Sequence, residues 1–361
     1  MVTMNDIAKK AGVTRQAVSS VLNDPENSRV SAVMKEKIFR LVREMNYIPN
    51  TAAKILKGGS SGSIGLLGQV SSFGVQASRI SELGKQLRKY NYDMLLNDCP
   101  FGDGGDEELV NGIRTLEMKG IDGIIIFSSR GKWFEGYRPN VPFLLYSHDN
   151  LEGYDIGVDD ELGGYMAARH LLEHGHRNIA YLCIRTYQLN SARRRGWQRA
   201  CEEAGCYNPE HCLATADWNG ETAPLVDELK KKKITAVFAF NDHLAGRFMS
   251  MLFSHGLRVP EDIALIGYDG QSFCDFCRTP LATIVQPVRR QAELGIEMLL
   301  ERMKSGSMPP EPEYRNVEPF LYCSASCGCH SSALDRLYTL NTYSTLEMDY
   351  KMNFDIDIFK Q

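Results

Sequence analysis

The sequence contains no apolar run near the roughly 20 residues that a membrane-spanning helix needs, so an integral membrane protein built on helices is excluded. Its opening, MVTMNDIAKKAGV, lacks the apolar stretch of a secretory leader, and a cytoplasmic protein with no membrane partner is expected. The ten cysteines are scattered through a long chain rather than spaced as a small-scaffold disulfide framework, so reduced thiols are expected. P-loop, HExxH and nucleophile-elbow signatures are missing, and the residue types of a catalytic triad occur only as unrelated residues, so neither an enzyme nor a cofactor is expected. Metal-like spacing occurs at Cys274-x-x-Cys277 and in the group Cys323, Cys327, Cys329, His330. No second well-spaced pair stands near CDFC in the sequence. These are therefore read as ordinary thiols, with no metal expected, and stoichiometric zinc in the purified protein would reverse that reading.

What is present is a chain of 361 residues, 43% of them hydrophobic, which suggests two or three domains with real cores. Its net charge of −4 conceals an asymmetry. Residues 1–60 hold ten Lys/Arg against five Asp/Glu, whereas the other 301 hold 31 against 40. A small basic head on a larger acidic body suggests that the head meets a polyanion. A solvated basic face is the plainer alternative, and charge alone does not reject it.

Within the head, Thr3 and Asp6 have the spacing of a capping box for a helix through Ala11. Gly12 suits a left-handed turn, and Thr14 is placed to cap a second helix, RQAVSSVL, ending near Asn23. The spacing of Ala8, Gly12 and Val18 follows helix-turn-helix logic: a small residue at the crossing, a glycine turn and a wedge between the helices. Ile7, Val21, Ile38, Leu41, Val42 and Met45 complete a three-helix core, with Ser31 as the cap of a third helix to about Asn46. Any small three-helix bundle is the competing reading. In a helix-turn-helix the second helix would offer Arg15, Gln16 and Ala17, then Ser20, to base edges. Thr14, Ser19, Asn23, Ser31 and Tyr47 are candidate phosphate contacts. After the head, NTAAKILK (50–57) reads as a two-turn basic helix too short to be stable alone, followed by a Gly/Ser joint. Leu56 stands between Lys54 and Lys57 in that segment.

From residue 63 the chain alternates apolar strands with amphipathic helices. Strands are predicted at 63–70, 92–97, 123–128, 142–147, 178–184, 235–240 and 263–268. Helices are predicted near 76–90, 105–119, 160–175, 190–205, 221–231, 242–256 and 287–305. This alternation implies parallel sheets covered on both faces, and there are too many units for one sheet, so two lobes are expected. Ligands then bind beyond the carboxyl ends of strands. Asn241-Asp242, Asp269, His148-Asp149 and the run Ser191 to Trp197 stand there, and Trp218 lies in a loop before a helix. For each taken singly the structural explanation outweighs the functional one; for Asn241 it is an N-cap.

The run TMNDIAKKAGVTRQAVSSVLN, then VS, then YIPNTAAKILK and SIGLL, resembles the LacI/GalR family of bacterial transcriptional regulators, and the match extends over roughly residues 2–330. VPEDIALIGYDG and LATIVQP strengthen it. The resemblance implies an all-α helix-turn-helix domain (1–49), a hinge helix and linker (50–62), and a two-lobed α/β body of the periplasmic-binding-protein type (63–330). Lobe 1 would comprise about 63–156 and 284–314, and lobe 2 about 157–283 and 315–330. It implies base reading by Arg15, Gln16 and Ser20, and a minor-groove hinge from Asn50 to Lys57 with Leu56 as the wedge beside Ala53. It further implies an effector site holding Arg193, Asn241, Asp269 and Trp218, with Phe73 and Asp149 as weaker matches. The loop at 23–30 is longer than in some relatives. The partners implied are double-stranded operator DNA, a small effector and a second copy of the chain, with a tetramer as a larger option. The effector is expected to be a sugar or sugar derivative, because carboxylate, amide and guanidinium groups bond directionally to hydroxyls; a purine or nucleoside is the alternative. In a different class, the C-terminal cysteines could serve a metal or thiol redox sensor. A free sugar-binding module would lack the basic head. Residues 331–361 lie beyond the resemblance, and a docked short helix and a connection to another module are the two readings of them.

Overall fold

The computed structural model describes residues 2–23, 25–47, 59–70, 74–99, 105–128, 132–146, 153–184, 191–215, 223–306 and 314–329. The chain divides into two compact units, Met1–Ser61 and Gly62–Gln361. The described residues of the first form three helices: α1 (Met4–Ala11), α2 (Arg15–Asn23) and α3 (Ala32–Glu44). Thr3 and Asp6 form the expected capping box, with Thr3 N donating to Asp6 Oδ2 at 2.9 Å and Asp6 N to Thr3 Oγ1 at 3.4 Å. Gly12 ends α1 at φ 77°, in the left-handed region, and Ala17 N donates to Thr14 Oγ1 at 3.1 Å to start α2. Lys37 Nζ reaches back to the Ala11 carbonyl at 3.0 Å, a cation at a helix C-terminus.

Ile7, Ala8, Ala11, Val18, Val21, Ile38 and Leu41 form the buried core of the head, with Val42 and Met45 half-buried against it. One expectation changes here. Ser31 stands at the N-cap of α3 but its hydroxyl makes no capping bond. Tyr47, a candidate phosphate contact, packs into the core at 9% exposure. The reason is local: Asn46 takes φ 47° and Tyr47 N donates to the Val42 carbonyl at 3.0 Å, which turns the chain back onto the bundle.

The second unit contains two parallel α/β layers. In lobe 1, β1 (Ser63–Gly68), β2 (Asp93–Asp98), β3 (Gly123–Ile126) and β4 (Phe143–Leu145) pair in the order β2-β1-β3-β4, all parallel. The intervening helices are α4 (Gln76–Lys89), α5 (Gly105–Met118) and α6 (Lys132–Gly136). The chain then passes through β5 (Ile156–Val158) into α7 (Asp160–Glu173), β6 (Ile179–Ile184), α8 (Ala192–Glu203), β7 (Cys212–Thr215), α9 (Ala223–Lys231), β8 (Ala236–Ala239), α10 (Asp242–Ser254), β9 (Ala264–Asp269) and β10 (Ala282–Val285). It returns as α11 (Val288–Ser305), which packs on lobe 1 with Leu83 and Leu87 of α4, and crosses again through β11 (Arg315–Val317) to β12 (Phe320–Tyr322). The second sheet has the order β12-β10-β9-β8-β6-β7 and is parallel except for β12 against β10.

The seven predicted strands are all present. Five short ones (β5, β7, β10, β11 and β12) are additional, because three or four residues give too little alternation to read. β5 and β11 pair in parallel as a separate ribbon at the crossovers. A buried ion pair fastens this region: Arg302 Nη1 donates to Asp155 Oδ2 at 2.8 Å and to the Phe143 carbonyl at 2.7 Å. The same carboxylate oxygen accepts from Leu145 N at 2.8 Å.

Candidate functional sites

Strand ends converge where lobe 2 faces lobe 1. Arg193, in the first turn of α8, is 1% exposed and fully engaged. Its Nε donates to Asp160 Oδ1 at 3.0 Å, its Nη1 donates to the Phe240 carbonyl at 2.8 Å, and Nη1 stands 3.7 Å from Asp269 Oδ1. The guanidinium lies over the rings of Tyr268 at 3.7 Å and Phe240 at 4.6 Å, so flat contact and charge both fix its plane.

Glycines explain how Arg193 reaches Asp160. A Cβ on Gly164 of α7 would lie 2.0 Å from the Arg193 carbonyl, and one on Gly196 of α8 would lie 2.0 Å from the Glu161 carbonyl. The two helices therefore touch backbone to backbone, and the arginine at the head of one meets the acid at the head of the other. The spacing of Arg193 and Gly196 thus has a packing origin.

Asp269 ends β9 at φ 118°, an uncommon conformation for a residue with a side chain and one that recurs at functional sites. Its Oδ1 accepts from Gln286 Nε2 at 2.7 Å, and Gln286 Oε1 accepts from Arg79 Nη2 of α4 at 2.6 Å. Arg79 Nη1 donates in turn to Gln76 Oε1 at 3.3 Å. A buried relay, Asp160–Arg193–Asp269–Gln286–Arg79, thus runs from one lobe into the other. Gln76 Nε2 and Arg79 Nε are buried without a hydrogen-bond partner among the described residues, so donors remain unspent at its lobe-1 end.

Beneath Asp269 lies Asp242, which is fully buried. It accepts from Gln271 N at 2.8 Å and meets Thr283 Oγ1 at 2.6 Å. Burial, reinforced by the charge of Asp269, pushes its carboxyl up to about 8. A Cβ on Gly267 would lie 2.2 Å from Asp242 Oδ1, so the glycine of GYDG makes room for this acid. A cavity of about 420 Å³ opens beside the relay, lined by Tyr154, Asp160, Glu161, Arg195, Tyr314 and Asn316 among others.

Of the predicted effector residues, the structure brings Arg193 and Asp269 together. Asn241 lies at the adjoining strand end, but its carboxamide oxygen caps α10, accepting from Leu244 N at 2.9 Å, as the plainer reading has it. Phe73, Asp149 and Trp218 lie outside the described residues. Sequence reasoning missed Asp160, Gln286 and Arg79. The Gly163-Gly164 pair inside a predicted helix marked a close approach near Asp160. Gln286 sat in the quoted LATIVQP without being given a role, and Arg79 gave no signal.

In the head, Thr14, Arg15, Gln16 and Ser20 are exposed along the start of α2, and Ser19 is half-buried. Ser31 is exposed at the start of α3. The N-terminus of α2 thus presents a guanidinium and a carboxamide, the two groups best suited to bidentate pairing with guanine and adenine. The Asn23 side chain lies outside the described residues, as do Asn50, Ala53, Lys54, Leu56 and Lys57. No helix among the described residues is long and apolar enough to cross a membrane.

Residues 3–50 match the family described as bacterial regulatory proteins, lacI family, and residues 168–321 match a periplasmic binding protein-like domain. The chain is 32% identical over 336 residues to the HTH-type transcriptional repressor PurR of Vibrio campbellii, covering 88% of this chain and 98% of that one. The PurR repressor of Aliivibrio fischeri is 31% identical over 316 residues, covering 84% and 92%. Among solved structures, a lac repressor dimer bound to operator and the anti-inducer ONPF superposes with a TM-score of 0.76 at 24% identity, covering 90% of this chain and 99% of that one. A complex of the transcriptional regulator CelR with cellobiose gives 0.63 at 22% identity, covering 90% and 100%. At those identities the structural matches establish the fold.

Proposed function

The chain belongs to the LacI family of bacterial regulatory proteins and is a DNA-binding transcriptional repressor with a small-molecule effector domain, and from that premise we propose that a sugar or sugar derivative bound between the lobes sets its affinity for operator DNA. The observation that carries the proposal is the buried relay from Asp160 and Arg193 through Asp269 and Gln286 to Arg79. Its carboxylates, guanidinium groups and carboxamide match the donors and acceptors of hydroxyl groups. A hydroxyl-rich ligand inserted at Arg193 and Asp269 exchanges protein–protein bonds for protein–ligand bonds. It thereby changes what holds α4 of lobe 1 to lobe 2. The effector acts only through its different affinity for the two arrangements.

At the DNA, Arg15, Gln16 and Ser20 read base edges in the major groove, and Thr14, Ser19, Asn23 and Ser31 hold phosphates. The packing of Tyr47 leaves its ring to the core of the head. A homodimer places two such helices on a near-palindrome. The segment from Asn50 to Lys57, marginal as an isolated helix, gains its missing stability on DNA and inserts Leu56 into the minor groove beside Ala53, with Lys54 and Lys57 at phosphates. Closure of the lobes alters the spacing of the two linkers and so whether both hinge helices form.

Two assays test this. Selection from random DNA followed by a mobility shift should return a near-palindromic site. A thermal-shift screen of sugars and purines should show stabilisation by a sugar at Arg193 and loss of it in Arg193→Ala; stabilisation by purines alone would sink the sugar assignment while leaving the repressor intact.

A further inference from the structure

The cysteines near the C-terminus stand beside two histidines from a helix about 150 residues earlier in the chain. His170, in the last turn of α7, and His174, its C-cap, are four apart, a spacing that puts both imidazoles on one helix face. Their rings lie 4.5 Å apart between centroids. Opposite them, the turn after β12 carries Cys323, Cys327 and Cys329. Gly328, at φ 89°, lets the chain reverse between the last two so that both sulfurs face α7.

Three nitrogen–sulfur distances have the length of coordination-sphere edges. Cys327 Sγ lies 3.3 Å from His170 Nε2, and Cys329 Sγ lies 3.5 Å from His170 Nε2 and 3.4 Å from His174 Nε2. His170, His174 and Cys329 offer ligand atoms all within 4.8 Å of one another. A tetrahedral ion bound at the usual Zn–N and Zn–S lengths has N···S edges of about 3.5 Å. Cys327 is buried, whereas His174 is exposed, which gives a held floor and an open mouth for entry.

We propose that His170, His174, Cys327 and Cys329 bind one borderline-soft divalent cation, of the Zn²⁺ class, in four-coordinate geometry. The donor set of two imidazoles and two thiolates selects that class over the hard cations. The second ligand pair that seemed missing near CDFC in sequence is supplied in space, and to a different set of cysteines. Cys277 takes no part; it stands with Cys274 and Asp275 in the turn before β10, on neither element that carries the cluster. Bound metal clamps the end of the body to α7, the helix whose first residue, Asp160, holds Arg193. The site lies at the opposite end of that helix from the effector relay, so it stands independently of the effector's identity.

The test uses the full chain, purified reduced and stripped with a chelator, then titrated with Co²⁺ and competed with Zn²⁺. The expected result is one Co²⁺ per chain with the visible absorption of a tetrahedral thiolate–imidazole complex, displaced by one Zn²⁺. Cys329→Ser and His174→Ala should each weaken binding at least about tenfold, and Cys277→Ser should leave it unchanged. His174 is exposed, so its substitution should leave the fold intact, and far-UV circular dichroism checks this in every variant. Binding that lacks the thiolate spectrum would overturn the proposal. So would unchanged affinity in the folded Cys329→Ser and His174→Ala variants. A cluster that forms a disulfide under mild oxidation but takes up no metal when reduced would equally overturn it, in favour of a thiol switch.

Discussion

Gly196→Ala should cost stability and effector binding together, although adding a methyl group to a helix ordinarily helps. The new Cβ would lie 2.0 Å from the Glu161 carbonyl oxygen, 2.5 Å from Tyr165 N and 2.9 Å from the Gly164 carbonyl carbon. Ordinary carbon–oxygen contact needs about 3.3 Å, so α7 and α8 must part by roughly 1 Å. The atoms in the way are backbone on both sides, and no side chain can swing aside. Overpacking of this kind costs about 1–3 kcal/mol or more, against which the gain from replacing a helical glycine is about 1 kcal/mol. The parting also stretches the 3.0 Å bond from Arg193 to Asp160, which the crossing exists to make. Gly246→Ala in α10 is the matched control. There the nearest atom to the new methyl is Phe273 Cε2 at 3.5 Å, ordinary contact, so this variant should gain about 0.5–1 kcal/mol. Chemical denaturation of both variants beside the parent, with the effector's thermal shift as a second readout, decides the matter. The reasoning predicts opposite signs for the same chemical change. Equal midpoints for Gly196→Ala and Gly246→Ala, with effector stabilisation intact, would refute it.

Three further outcomes are expected. Asp242 has its carboxyl raised to about 8 by burial and the neighbouring Asp269. The folded state therefore holds a proton that the unfolded state releases near 4, and stability should fall as pH rises between those values, by at most about 1.4 kcal/mol per pH unit. Asp242→Asn should flatten that dependence in pH-resolved denaturation, and an unchanged slope would contradict the assignment. Arg302→Met strands Asp155, which is 0% exposed, and should destabilise the body by about 3–5 kcal/mol, a value read from urea midpoints; a loss under 1 kcal/mol would mean the ion pair does not fasten the crossovers. Leu56→Ala should weaken specific operator binding far more than non-specific binding in mobility shifts, and equal loss on both DNAs would remove the wedge.

Much of the fold was legible because long elements carry strong periodicity. GIII, IAYLCI and ALIGYD are apolar runs bounded by turn residues, and they form strands at those places. The helix-turn-helix was legible for a different reason, since Thr3, Gly12 and Thr14 each do a local job that needs no distant partner. The ribbon of β5 and β11 was not, since each strand is three residues long and pairs across 159 positions of sequence between Ile156 and Arg315. Arg193 and Asp269 were picked out by pattern, yet the partners that hold them, Asp160 and Gln286, look like an ordinary helix-start acid and a strand-end amide. The histidine–cysteine cluster was hidden in the same way: its halves are 155 residues apart, between His174 and Cys329, and only the packing of β12 beside α7 joins them. The burial of Tyr47 was not legible either, since it follows from the left-handed Asn46 that turns the chain back onto the bundle.

The central claim is that effector occupancy at Arg193 and Asp269 governs DNA affinity. Its most direct test is the equilibrium affinity of the full chain for its selected operator, measured at fixed salt with and without the stabilising sugar, in the parent and in Arg193→Lys. The account predicts that the sugar changes operator affinity by about 5-fold or more in the parent. It predicts that Arg193→Lys, which keeps the charge but loses the planar fork, retains sugar-free operator affinity and loses the response. An operator affinity indifferent to every ligand that stabilises the parent, or a full response in Arg193→Lys, would contradict it.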